Sequence, residues 1–232
     1  RVQLLQTHIS YVLLAGEHVY KIKKPVNFGF LDFSTLARRR YYCRQEVLLN
    51  SRLCSNTYLG VARIRQQGDR IAVDGPGRVV EYAVHMRRLP AERMMDRLLA
   101  EGTLTVEMVR RVAKRVADFH VGNETSRRIA EFGAKSIGFA WDENFRQWAP
   151  NAGVTVTPEQ DRLLRAFGER FFAAKRDVLA RRVAEGRIRD CHGDLRSDSV
   201  CFVGDGLCIF DCIDFSRRLR YTDVAGDVGF LA

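Results

Sequence analysis

The sequence has no apolar run approaching the roughly 18–20 residues that a membrane-spanning helix requires, and its first residues lack the charged-then-apolar layout of a secretory leader. A soluble, cytoplasmic protein with no membrane partner is therefore expected. No repeat period and no biased tract occurs, which excludes solenoids and low-complexity segments. A paired C-x-x-C is missing too, so a zinc ribbon is excluded. Helix-turn-helix, zinc-finger and RRM-like signatures are also missing, and the arginine clusters have no interleaved aromatics. Nucleic acid is accordingly not the expected partner.

What is present is enough for a real core. The chain has 232 residues, 46% of them hydrophobic, a size that suits one domain of two lobes or two small domains. The formal net charge of +10, with an isoelectric point near 9.6, attracts anions of any kind. Basic runs at Leu36–Glu46 and Arg181–Asp190 fall in helical periods and read as solvated faces. The six cysteines permit three disulfides, but without a secretory context free buried thiols are the expectation. A metal set of His192, Cys208 and Cys212 is a weaker candidate, because its spacing matches no known ligand pattern. The first residue is Arg1 rather than Met, and "DVAGDVGFLA" stops on an apolar run, so the sequence reads as a piece cut from a longer protein.

Along the chain, Ser10–Leu14 and His18–Lys23 read as a hairpin turning at Ala15-Gly16-Glu17. Alternation in the second run puts Val19, Lys21 and Lys23 on one side. Ser34 is the expected N-cap of a helix over Thr35–Leu53, with an apolar stripe of Leu36, Tyr42, Cys43, Val47, Leu48 and Leu49. Glu46 sits inside that stripe, and a buried carboxylate requires a cationic partner. Strands are expected next at "GVARIRQQ", "RIAVDG" and "VVEYAVHMRRL", with "DGPG" as the turn between the last two. Residues 1–85 are thus expected to form a mostly antiparallel sheet with one helix. Residues 86–232 are expected to be mainly helical: Met94–Ala100, Thr105–His120, an interrupted region around "GFAWDENFRQWAP", then Pro158–Glu185. A second hairpin, "VCFVGDGLCIFDCIDF", turns at Gly204-Asp205-Gly206. The fold class expected is α+β, an antiparallel-sheet part followed by a helical part.

Four stretches carry a resemblance: "HGDLRSDSV" (His192–Val200), "IFDCIDF" (Ile209–Phe215), "DVAGDVGFLA" (Asp223–Ala232) and the opening "QTHISYVLLAGEHVYKIKKPVNFGFLDFSTLARRR". They resemble the aminoglycoside phosphotransferase-like branch of the protein-kinase-like fold, in particular its cytosolic enzyme family in which such a domain often precedes a P-loop ATPase domain. The resemblance spans nearly the whole chain. It implies a bilobal kinase-like fold with a truncated C-terminal lobe, ATP and magnesium as cofactors, and transfer of phosphate to a hydroxyl of a small molecule. A fused or following P-loop ATPase domain is the further partner it implies. Antibiotic modification is not expected, because in this family acceptor specificity comes from helices after the Asp227 segment.

Phosphoryl transfer requires a base at the acceptor hydroxyl, metal ligands and a cation on the phosphate oxygens. Asp194 is expected to be the catalytic base, with His192 holding the loop through hydrogen bonds. Lys21 is the expected phosphate-binding lysine, Lys23 the next candidate, and Glu46 the helix residue that holds it. Met86 lies in "VHMRRL", where a kinase-like fold receives adenine through backbone groups. Asp211 and Asp214 compete as metal ligand, with the short hairpin from Asp194 favouring Asp211. Ser199 stands where the kinase pattern carries asparagine, with Asp198 beside it. Asp227 is expected to prop the loop. Two alternatives remain open at this point: a catalytically weakened nucleotide-binding module, and a basic nucleic-acid-binding protein.

Overall fold

A computed structural model describes residues 2–232, and these form an α+β structure. The chain opens with β1 (Val2–Gln6), β2 (Ser10–Ala15), β3 (His18–Lys23), α1 (Leu36–Asn50), β4 (Tyr58–Gln67), β5 (Arg70–Val73) and β6 (Arg78–Arg87). Next come α2 (Met95–Ala100), α3 (Val106–Gly122), α4 (Arg127–Trp148), α5 (Pro158–Ala174) and α6 (Arg176–Ala184). The last part holds β7 (Ile188–Asp190), β8 (Val200–Val203), β9 (Gly206–Ile209), α7 (Arg217–Arg220), β10 (Tyr221–Asp223) and α8 (Val224–Leu231). No helix among the described residues is long and apolar enough to cross a membrane.

Two compact units result. One runs to Val121 and takes in Asp194–Ser216 and Leu231; the other comprises Gly122–Gly193, Arg217–Phe230 and Ala232. The sequence division at residues 85 and 86 falls inside β6.

The first unit is built on a six-stranded antiparallel sheet in the order β1-β2-β3-β6-β4-β5. Gly16, at φ 60, supplies the left-handed residue that the tight β2–β3 turn requires, and the register sets Ser10 opposite Lys23 and Val12 opposite Lys21. Alternation along β3 turns one set of its side chains inward. Val19 joins a buried cluster with Cys43, Tyr58, Val84 and Met86, and Lys23 from the same strand is buried as well. A second cluster gathers Leu53, Met95, Leu98, Val112, Val116 and Phe119 with Leu195, Val200, Phe202 and Ile209, which seats the β8–β9 hairpin.

Helix α1 departs from the sequence reading in two ways. Its N-cap is Thr35, whose side chain accepts the Arg38 amide, while Ser34 is tied to Asp32. Its buried face is Arg39, Cys43, Glu46, Leu49 and Asn50, and Leu48 is exposed. The face is half polar because its polar groups have partners on other elements: the Arg39 guanidinium grips both oxygens of Glu81 on β6 at 2.8–2.9 Å. Cysteine usage also differs from expectation. Cys54 and Cys208 form a disulfide with Cα atoms 4.6 Å apart, because the turn after α1 and strand β9 meet in one apolar cluster. That also removes Cys208 as a thiolate ligand.

The second unit packs α4 against the short antiparallel pair β7–β10. The region read as interrupted is continuous helix as far as Trp148, the end of α4, and passes into a 3-10 turn at Ala149–Asn151; Trp141 and Trp148 meet Phe145 at ring distances of 5.1 and 4.5 Å. The long helix expected over Pro158–Glu185 instead breaks at Lys175 into α5 and α6. Paired ions pin the strands: Arg220 to Asp190 at 2.7 Å and Arg182 to Asp223 at 2.5 and 2.6 Å.

Candidate functional site

In the first unit, one face of β3, the middle of α1 and the segment after β9 bring five charged side chains together. Glu46 spends one carboxylate oxygen on each lysine: Oε1 lies 2.9 Å from the Lys21 ammonium and Oε2 2.7 Å from that of Lys23. Lys21 also reaches Asp211 at 2.5 Å, and Lys23 reaches Asp214 at 2.6 Å. The two halves differ in burial. The side chains of Lys23, Glu46 and Asp214 are 2%, 2% and 7% exposed, whereas Lys21 is 16% and Asp211 55% exposed.

Three carboxylates against two ammonium groups leave the cluster one net negative charge. Burial works against both lysines, but Asp211 and Glu46 hold Lys21, and Asp214 and Glu46 hold Lys23, above the ordinary lysine range. Burial would raise Glu46, yet the two lysines keep it below the ordinary carboxylate range. Burial raises Asp214, and the nearby Glu46 charge adds to that against the pull of Lys23.

The surrounding backbone sets these positions. Asp211 has φ 64, a left-handed conformation that a residue with a Cβ adopts at a conformational cost. Its amide donates to the Tyr58 hydroxyl at 3.3 Å, and the Cys212 amide donates to Asn50 Oδ1 at 2.8 Å. Asn50 in turn donates to the Glu46 carbonyl at 2.9 Å, so α1 holds the acidic segment through one buried amide. Neither Asn50 nor Tyr58 is singled out by the sequence reading. The signal available is their polarity inside buried stretches, which by itself names no partner. Lys23 also sits 4.8 Å from the centre of the Phe33 ring.

The other sequence candidates occupy the loop before β8, strand β6 and the second unit. Asp194 is partly exposed and lies 3.6 Å from Arg196. Asp198 meets the same guanidinium at 3.2 Å. Ser199 is buried, and its hydroxyl donates to the Arg196 carbonyl at 2.7 Å and accepts the Arg196 amide at 3.2 Å. The serine therefore closes its own loop. Met86 is buried on β6, opposite Val19 and Tyr58. In the second unit, the amides of His192 and Gly193 donate to the two carboxylate oxygens of Asp227, each at 2.8 Å, and His192 is buried. Asp227, at the start of α8, thus holds both residues by their backbone.

No family model matches the chain. It is similar to Uncharacterized protein Rv2004c of Mycobacterium tuberculosis and to Uncharacterized protein Mb2027c of Mycobacterium bovis, each 31% identical over 234 residues. Each match takes in 100% of this chain and 45% of the relative. The chain therefore spans a little under half the length of the curated relatives it matches.

Proposed function

We propose that this chain is the kinase-like part of an ATP-dependent phosphotransferase that moves a γ-phosphoryl group to a hydroxyl of a small molecule, as the resemblance to aminoglycoside phosphotransferase-like enzymes implies. The observation that carries the reading is the ion cluster: cations from a sheet strand and carboxylates from the segment after β9 converge through one helix glutamate. A polyphosphate requires such a cation, and its counter-ion metal requires such carboxylates. The donor set fits magnesium, since it is all oxygen, bears net negative charge, and includes Asp211, which is half exposed on a strained backbone. Asp211 would hold the ion, and the metal when bound neutralises charge on the phosphate oxygens.

The chain's own groups account for the remaining steps. Lys21 holds phosphate oxygens by charge. Asp194 orients the acceptor hydroxyl and takes its proton as the hydroxyl oxygen bonds to the γ-phosphorus and the bond to the β-phosphate oxygen breaks, leaving ADP. Asp227 fixes the two residues before Asp194 through their amides. Replacement Asp194→Ala is expected to leave magnesium-dependent ATP binding intact and to abolish transfer. A protein that binds no nucleoside triphosphate at all overturns the reading.

The Ser199 hydroxyl favours a second reading, a nucleotide-binding module with weakened catalysis, because both of its bonds stay within its own turn. On that reading Ser199→Asn raises turnover and magnesium affinity. No change in either quantity counts against it.

A further inference from the structure

Alternation along β3 puts Val19, Lys21 and Lys23 on one face of the sheet and His18, Tyr20 and Ile22 on the other. On that other face two imidazoles meet across the β3–β6 pair. His18 Nδ1 lies 2.9 Å from His85 Nε2, with the ring centres 4.9 Å apart. At that distance one nitrogen carries a proton and donates, and the other presents its lone pair. Tyr20 is directly opposite His85 in the ladder and stacks on it, with ring centres 4.7 Å apart and planes 9° from parallel. The stack fixes the plane of the His85 ring. His18 is exposed and His85 half-buried. On the β4 side His85 faces Gly60, where even a Cβ would meet open space. Both inner nitrogens are therefore held in place and reachable from solvent.

We propose that His18 and His85 form a binding site for a divalent transition-metal ion, copper(II) or nickel(II), held through Nδ1 of His18 and Nε2 of His85 with water completing its shell. Imidazole nitrogen suits such ions, whereas magnesium and calcium take oxygen. Metal–nitrogen bonds of about 2.0–2.1 Å set at right angles place two nitrogens about 2.9 Å apart, and a tetrahedral angle requires about 3.3–3.4 Å. The observed separation thus fits the square or tetragonal shell of copper(II) and nickel(II) rather than the tetrahedral shell of zinc.

Loading the site requires no net loss of a proton. The ring that donates moves its proton to its other nitrogen, which frees the inner lone pair for the metal. Arg87, opposite His18 in the ladder, places a positive charge that opposes the ion, so affinity comes from the two nitrogens and not from the local field. A bound ion ties β3 to β6. The site does not rest on the phosphotransferase reading, because its donors are nitrogens and lie on the opposite face of β3 from Lys21 and Lys23.

The test uses the whole chain without an affinity tag. Calorimetric titration with nickel(II) chloride is expected to show a site that His18→Gln and His85→Gln each weaken about tenfold or more, because one imidazole alone loses the advantage of a second ligand held beside it. His8→Gln, at the opposite end of the β2–β3 hairpin, is expected to leave the affinity unchanged. Tyr20→Ser is expected to weaken binding and Tyr20→Phe, which keeps the stack, to preserve it. With copper(II) chloride, electron paramagnetic resonance of the unaltered chain is expected to show hyperfine splitting from two imidazole nitrogens, reduced in either histidine variant. Zinc chloride is expected to bind more weakly than nickel(II). Equal nickel affinity in the unaltered chain and both histidine variants, or a copper spectrum without the two-nitrogen pattern, overturns the site. Zinc bound more tightly than nickel overturns the assignment of the ion.

Discussion

At the residue scale, the energetics of the cluster are set by burial. An ion pair taken out of water is destabilised strongly when one partner is removed, by about 3–5 kcal/mol, because the remaining charge is left without compensation. Glu46→Gln and Lys23→Met are therefore expected to lower unfolding free energy by about that amount in denaturant titrations, and Asp211→Asn, at a half-exposed site, by much less. The lysines also make a pH prediction. A lysine raised on folding contributes stability that is complete below its unfolded value of 10.5 and is lost as pH rises beyond it through the folded value. Melting temperature above about pH 10.5 should fall more steeply for the unaltered chain than for Lys23→Met. Parallel curves would mean that Lys23 is not held as described.

Much of this cluster is legible in the sequence. Strand alternation puts Lys21 and Lys23 on the same side, and a glutamate within a helix stripe announces a buried cation. What is not legible is how the charges divide: that Glu46 serves both lysines, that Asp214 rather than solvent meets Lys23, and that Asn50 and Tyr58 anchor the acidic segment. The first joins residues 23 positions apart on different elements, and the other two depend on contacts between residues more than 150 positions apart, which no local pattern encodes.

At the scale of elements, the hairpins are readable because β-branched runs end at glycines with positive φ, as at Gly16 and Gly204. The face of α1 is not. Its buried stripe sets Arg39, Glu46 and Asn50 beside Cys43 and Leu49 and leaves Leu48 exposed, and only partners on other elements explain the burial of the polar three. The N-cap likewise falls at Thr35 because Ser34 is held by Asp32. Thr35→Ala is expected to cost about 1 kcal/mol in denaturant titration, and Ser34→Ala less. In α4, Gly133 lies where a Cβ would come within 2.6 Å of the Tyr221 carbonyl oxygen. A helix interior gains about 1 kcal/mol from Gly→Ala, but overpacking against backbone loses about 1–3 kcal/mol. Gly133→Ala should thus destabilise the second unit, and a stabilised variant would contradict that packing. The cysteine pairing predicts four reactive thiols in the denatured, unreduced chain, from Cys43, Cys191, Cys201 and Cys212. Six would show that Cys54 and Cys208 are not joined.

At the scale of the whole molecule, a chain with a net charge of +10 carries a cluster whose own charge is negative. On the proposed reading, that combination suits a polyanion that arrives with a divalent cation: the field of the chain would attract the anion, and the cluster would take the metal. The measurement that tests this account most directly is thermal unfolding with magnesium alone, ATP alone, and both. At about 100 times the dissociation constant, a ligand that binds only the folded chain adds about 2.7 kcal/mol. For a chain of this size that corresponds to a rise in melting temperature of roughly 5–10 °C. The account predicts a rise of that order with magnesium and ATP together, much smaller rises with either alone, and loss of the combined effect in Asp211→Asn. An unchanged melting temperature with every nucleoside triphosphate, at saturating magnesium, would contradict it.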